Sequence, residues 1–149
     1  MSKIFLLALA ASFISASCNL ETSKFFNDGQ VEIKNRKLDV AVSDDPQELR
    51  LGLSVVSEIS ESQGMLFVYD GPSRPNFWMK DMKFPIDIVW IRSNRVADLS
   101  LYLEPEPGKK DRELNLYAPS ADVDMVLEVT AGWVTANNVQ IGDEVKIIF

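Results

Sequence analysis

The chain has 149 residues, 46% of them apolar and 25% charged, the balance of one ordinary globular domain. It has no histidine and a single cysteine, which excludes Ser-His-Asp and Cys-His nucleophile systems, His-containing metal sites, thiolate clusters and an internal disulfide. The net charge of −7, which becomes −8 once residues 1–17 take Lys3 with them, repels phosphate backbones and argues against nucleic acid as a partner.

Residues 1–17 read as an export signal: Lys3, the apolar run Ile4–Ile14, then the small residues Ser15, Ala16 and Ser17. The run is too short for a permanent span, which needs about 20 residues. Cys18 follows directly and resembles the lipidated cysteine of bacterial lipoproteins, although Ser15 stands where that motif usually has leucine. A lone free thiol is a liability in an oxidising compartment, so Cys18 is assigned as the lipidation site and residues 18–30 as a tether. Several acyl chains would anchor the protein to a membrane stably where one would not. Asn19 resembles the sorting signal for an outer-membrane lipoprotein facing the periplasm; plain secretion after cleavage is the alternative.

Residues 31–149 form a single domain. Val31-Glu32-Ile33 and Leu38–Val42 alternate on either side of Lys34–Lys37, the pattern of a hairpin with one buried face. Asp45-Pro46-Gln47-Glu48 carries the cap, first-turn proline and capping-box carboxylate of a short helix that Gly52 limits. Gly64–Tyr69 is a continuous apolar strand, closed by a turn at Asp70-Gly71-Pro72. FWMKDMKFPIDIVWI, residues 77–91, divides at Pro85 into strands Phe77–Lys80 and Ile86–Ile91. A turn at Ser93-Asn94 leads to a strand in which Ala97, Leu99, Leu101 and Leu103 share the buried face. Glu104–Ser120 reads as a mobile surface loop. Met125–Thr130 is a strand, Trp133–Asn138 a short helix and Val145–Phe149 the last strand. The expected fold is mainly β, a compact antiparallel barrel or sandwich with two short helices.

DPQELRLGL (45–53), QGMLFVYD (63–70), FWMKDMKFPIDIVWI (77–91), LYAPS (116–120), VLEVTAG (126–132) and IGDEV (141–145) together resemble the domain of unknown function 192 family. The resemblance implies a compact, mostly antiparallel β fold, often exported, without established enzymatic activity. The chain departs from the family at Ser54-Val55-Val56, where Met and Arg are usual, and at Asp81-Met82, where the family has Asn-Thr.

Charges within apolar strands must be paired or solvated, because an isolated buried ion costs several kcal/mol. Asp87 sits among β-branched residues, and a chain doubling back near Pro85 would bring Lys80 to it as a pair fixing strand register. Glu128 is a second carboxylate in an apolar strand. If it shared a cleft with Asp87, the two would form an acid and base for a glycosidic bond, with Lys80 nearby. Trp78, Trp90 and Trp133 fit a core, though a partly exposed tryptophan is also a platform for a sugar ring. Asp111, Glu113, Asp122 and Asp124 lack the ordered pattern of a calcium loop and read as solvated.

These observations favour an envelope-anchored, non-catalytic module that binds a small molecule, a glycan or an envelope protein. Trp78, Lys80, Asp87, Tyr117 and Glu128 are its candidate binding residues, and no cofactor or metal is implied. A small hydrolase built on Asp87, Glu128 and Lys80, or a purely structural lipoprotein, are the alternatives. Replacing Cys18 by serine is expected to move the protein from the membrane to the soluble fraction on fractionation. A wild-type protein already soluble with Cys18 intact would contradict the lipid anchor.

Overall fold

A computed structural model of the chain describes residues 25–43, 45 and 51–149. The expected export signal, Cys18 and the expected helix start at Pro46–Glu48 lie outside the described residues. Seven strands follow one another: β1 (Gly29–Ile33), β2 (Arg36–Ser43), β3 (Gln63–Ser73), β4 (Ile86–Arg92), β5 (Arg95–Leu103), β6 (Val123–Thr130) and β7 (Val145–Ile148). Helix is scarce among the described residues. One four-residue α-helix, α1 (Trp133–Ala136), is joined by 3-10 turns at Gly52–Val55 and Asp111–Glu113. The first of these turns begins at Gly52, the residue expected to limit the helix from Asp45.

The strands form one sheet in the order β5-β4-β6-β3-β2-β1-β7. Every pairing is antiparallel except β2 with β3. Right-handed twist curls the sheet until its outermost strands meet at one end. There Arg95 bridges Glu144, Val96 N–H donates to the Asp143 carbonyl at 2.9 Å, and Val145 N–H donates to the Asn94 carbonyl at 2.9 Å. The result is a half-barrel, in keeping with the barrel-like, mainly β expectation.

Both two-residue hairpin turns are left-handed at each central residue, Lys34 and Asn35 (φ 53° and 61°) and Ser93 and Asn94 (φ 49° and 58°). That geometry matches the twist of the strands they join and sets the register of β1–β2 and β4–β5. Inside the curl, Val31, Ile33, Leu38, Leu66, Val89, Ile91, Leu127 and Val129 pack with Trp133 and Val134 of α1. A second core lies on the outer face, where Met65, Phe67, Ile86, Ile88, Trp90 and Val126 are covered by Phe26, Leu53 and Met79 from irregular segments. Strands β4, β6 and β3 are therefore buried on both faces along much of their length. This explains their continuous apolar runs.

Four expectations change at this point. Phe77–Lys80 is not a strand; only Phe77 pairs, with Tyr117, through backbone bonds of 2.8 and 2.9 Å. Met79 is anchored by side-chain burial instead, at 1% exposure. β3 does not turn at Asp70 but runs on to Ser73, with its register to β6 broken after Val68. In β5 the simple alternation fails, because two irregularities in pairing with β4 shift the faces; Val96 is buried and Leu101 is exposed. The segment 104–120 is fastened rather than loose: it carries the Tyr117 bridge, buries Leu114, and ends where Ser120 N–H donates to Asp98 at 2.8 Å.

The expected pair of Lys80 with Asp87 does not form. Lys80 Nζ lies 2.6 Å from Asp111. Asp87 is wholly buried on the inner face, and backbone groups satisfy it. Its Oδ1 accepts from Tyr102 N–H at 2.9 Å and its Oδ2 from Val134 N–H at 3.1 Å. The first bond holds Tyr102 in a left-handed conformation (φ 54°) at the bulge opposite Ile86 and Ile88. The second supplies the cap that α1 lacks locally, since Gly132 (φ 86°) offers no side chain and has Tyr102 packed over it. One carboxylate thus ties β4, β5 and α1 together. Asp87→Asn puts an amide N–H₂ against a backbone N–H, and is expected to cost about 3 kcal/mol. In a chain of this size that lowers the melting temperature by roughly ten degrees, measurable by calorimetry.

Candidate functional site

Glu128 and Asp87 lie on opposite faces of the sheet. On β6, Glu128 points outward with Val126, while Leu127 and Val129 point into the curl. Its cross-strand neighbours are Ile88 on β4 and Met65 on β3. The two carboxylates therefore share no cleft, and an acid–base pair acting across one bond is ruled out by the pleat itself.

The surroundings of Glu128 are assembled from four parts of the chain. Phe67 rises from β3 beside it. Phe77 stands edge-on to both Phe67 and Trp90, with ring centroids 5.0 and 5.4 Å apart. The 51–55 turn closes the other side. Gly52 takes a left-handed backbone there (φ 50°) that suits glycine, and its open face is turned toward Glu128 Oε2 and the tip of Phe67, where a Cβ would make ordinary contact at 3.5 Å. Between these walls is a pocket lined by Leu53, Phe67, Phe77, Trp78, Lys80, Met82 and Glu128, with about 30 Å³ of room for water-sized groups. Lys80 borders the pocket while paired with Asp111, so the 104–120 segment is pinned beside it.

Glu128 is 4% exposed, and its Oε2 has no hydrogen-bond partner. Burial pushes its carboxyl up to about 8, and a hydrogen bond from the Leu53 backbone N–H only partly opposes that rise. At neutral pH the group is therefore mostly a neutral acid, able to donate as well as accept. Tyr69, half-buried on the same face of β3, is pushed up to about 12, first by its own burial and then by the charge Glu128 acquires at high pH.

Of the residues singled out from sequence, Trp78, Lys80 and Glu128 line this one pocket. Tyr117 does not line it; it is half-buried in the outer core and positions Phe77 through the backbone bridge. Asp87 is on the other face, committed to structure. Gly52, Leu53, Phe67, Phe77 and Met82 were not foreseen as walls. Gly52 carried the one available signal, a glycine near the end of a helical pattern, which marks a helix terminus rather than a pocket wall. Among the described residues no group of three or more acidic side chains, histidines or cysteines is placed to hold a metal ion. No described helix is long and apolar enough to cross a membrane.

The raised Glu128 carboxyl makes stability depend on pH in a defined direction. The folded chain holds its proton more tightly than the unfolded chain, so its contribution is full below about pH 4.5 and is lost as pH rises to about 8. Glu128→Gln has no proton to lose. The stability difference between wild type and this variant, from denaturant melts, is expected to shift toward the variant across that window and level off above it.

Comparison with other proteins agrees with this fold. A crystal structure of a protein of unknown function from Novosphingobium aromaticivorans superposes with a TM-score of 0.70 at 20% identity, covering 78% of this chain and 83% of that one. A Sinorhizobium meliloti protein, provisionally described as a transcription regulator, superposes with a TM-score of 0.71 at 24% identity, covering 80% of this chain and 92% of that one. At such identities the likeness establishes fold alone. No curated protein matches the chain. The family model described as Uncharacterized ACR matches residues 29–147, nearly the whole half-barrel, and the chain belongs to this domain of unknown function 192 family.

Proposed function

We propose that this chain is a non-catalytic binding module, exported and held at the cell envelope through a lipid on Cys18, with Glu128 as the polar centre of its binding place. The observation that carries the reading is the buried, unpartnered Oε2 of Glu128, a residue that lines a small pocket with Trp78 and Lys80. A buried polar atom without a partner costs about 1–3 kcal/mol, so a group that serves only the fold is normally satisfied, as Asp87 is. Groups that serve a ligand are instead kept at some cost to stability. A hydrolytic reading loses its second carboxylate to the opposite face. The role in transcription suggested by the description of the S. meliloti protein fits poorly with a net charge of −7.

Methanol is a suitable first probe, since its two heavy atoms match the room in the pocket and its hydroxyl both donates to and accepts from a neutral carboxyl. Titrated into the full chain at high concentration, it is expected to move the backbone amide resonance of Leu53, which reports on the Glu128 carboxyl. The shift should vanish in Glu128→Leu. A Leu53 signal that methanol leaves unmoved would overturn the reading of Glu128 as a binding group.

A further inference from the structure

We infer that an apolar groove beside the 51–55 turn is the surface on which the domain rests against the bilayer holding its lipid anchor. The inference rests on the reading of Cys18 as the lipidated residue and adds which face the domain turns to the membrane. The groove is open, with room of about 340 Å³. It is lined by Phe25, Ala41, Val42, Leu51, Val55 and Met65, together with the backbone of Gly52. Asp28 is the charged residue on its wall, and its Oδ2 is engaged by Val42 N–H at 3.0 Å.

Exposure is the first argument. Phe25, Leu51 and Val55 are 36%, 52% and 49% exposed, so the rim of the groove is apolar as well as its floor. Ile148 and Phe149 are exposed too, and stand beside Gln30 and Gly29 at the start of β1, a few residues along from Phe25. Single exposed apolar side chains are ordinary, whereas several gathered around one groove mark a surface that meets something apolar.

The reach of the chain is the second argument, and it selects the bilayer as that partner. The fold holds the chain firmly from Phe26 onward: Phe26 is buried, and Asp28 N–H donates to the Val40 carbonyl at 3.1 Å. Phe25 stacks edge-on against Phe26, with ring centroids 4.9 Å apart, so the chain leaves the fold at the groove itself. Six residues, 19–24, separate Phe25 from Cys18, and that length spans at most about 25 Å. A lipid on Cys18 therefore keeps the groove close to the membrane surface. Tethering makes the contact intramolecular, so a modest apolar patch suffices to hold it. The net charge of −7 gives no attraction to anionic headgroups, which leaves the hydrocarbon boundary as the attractive part. Leu51 and Gly52 also wall the Glu128 pocket, so that pocket lies next to the docked face.

The test places the lipidated full chain in phosphatidylcholine vesicles, with and without brominated acyl chains, which quench tryptophan that reaches the hydrocarbon. Val55→Trp adds a reporter at the groove rim. Ile141→Trp adds one near the β1–β2 turn, where Lys34 holds Asp143 at 3.2 Å, the length of β2 away from Val42. The emission added by Val55→Trp is expected to be lost in the brominated vesicles, and that added by Ile141→Trp to persist. Leu51→Ser combined with Val55→Trp should bring the lost emission back. Equal quenching of the two reporters, quenching of neither, or quenching that Leu51→Ser leaves unchanged overturns the docking face. An unquenched Val55→Trp chain that sediments as a dimer assigns the groove to a contact between copies and overturns it as well. Mass spectrometry separates this failure from that of the anchor. Acyl groups on Cys18 with an unquenched reporter keep the anchor and remove the docking face, whereas an unmodified Cys18 removes both.

Discussion

Strands β3, β6 and β4 are covered on both faces, by the interior of the curl on one side and by irregular segments on the other. A polar side chain on the fully buried stretches of these strands is cut off from water, and leaving it unsatisfied is costly. Two carboxyls face that constraint, and they meet it differently. Asp87 accepts two backbone N–H groups and joins β4 to β5 and α1. Glu128 receives help from Leu53, holds a raised affinity for its proton, and leaves one buried oxygen without a partner. The contrast between a committed carboxyl and an uncommitted one is the ground on which the proposed binding role of Glu128 rests.

The outer core is what gives the pocket its shape. It is built from segments with little regular structure, each fixed by a specific contact: Phe77 to Tyr117 by backbone bonds, Lys80 to Asp111 by charge, Met79 and Leu53 by burial. Exposed ion pairs such as Lys80–Asp111 contribute little to stability, roughly 0–1 kcal/mol. Its significance lies in position, because it sets the distance between the 104–120 segment and the pocket mouth. A layer assembled in this way can vary around the mouth while the half-barrel beneath it stays the same.

Much of the fold was legible in the sequence because its signals are local. Alternation marked β1, β2 and β5, and continuous apolar runs marked β3, β4 and β6; Ser93-Asn94 marked its turn, while the turn read as Lys34–Lys37 is only Lys34-Asn35, since Arg36 and Lys37 already pair in β2. What failed was non-local. Leu101 was assigned to the buried face because a bulge leaves no reliable trace in periodicity. Phe77–Lys80 looked like a strand because aromatic and apolar residues that cover a sheet have the same composition as residues within one. Lys80 was paired with Asp87 from nearness in sequence, whereas its partner Asp111 arrives from a segment 31 residues further along.

The sequence by itself determined the class of chain: acidic, mainly β, without histidine, and with Trp78, Lys80, Asp87 and Glu128 as the residues that needed an explanation. Composition and period are sums over neighbours, so they carry that much. Only the tertiary structure decided which carboxyl is committed and which is uncommitted. That depends on the face each strand turns to the curl, on backbone N–H groups delivered by α1 and the β5 bulge, and on Gly52 closing over Glu128 from a different part of the chain. None of these is encoded within the strand that carries the carboxyl.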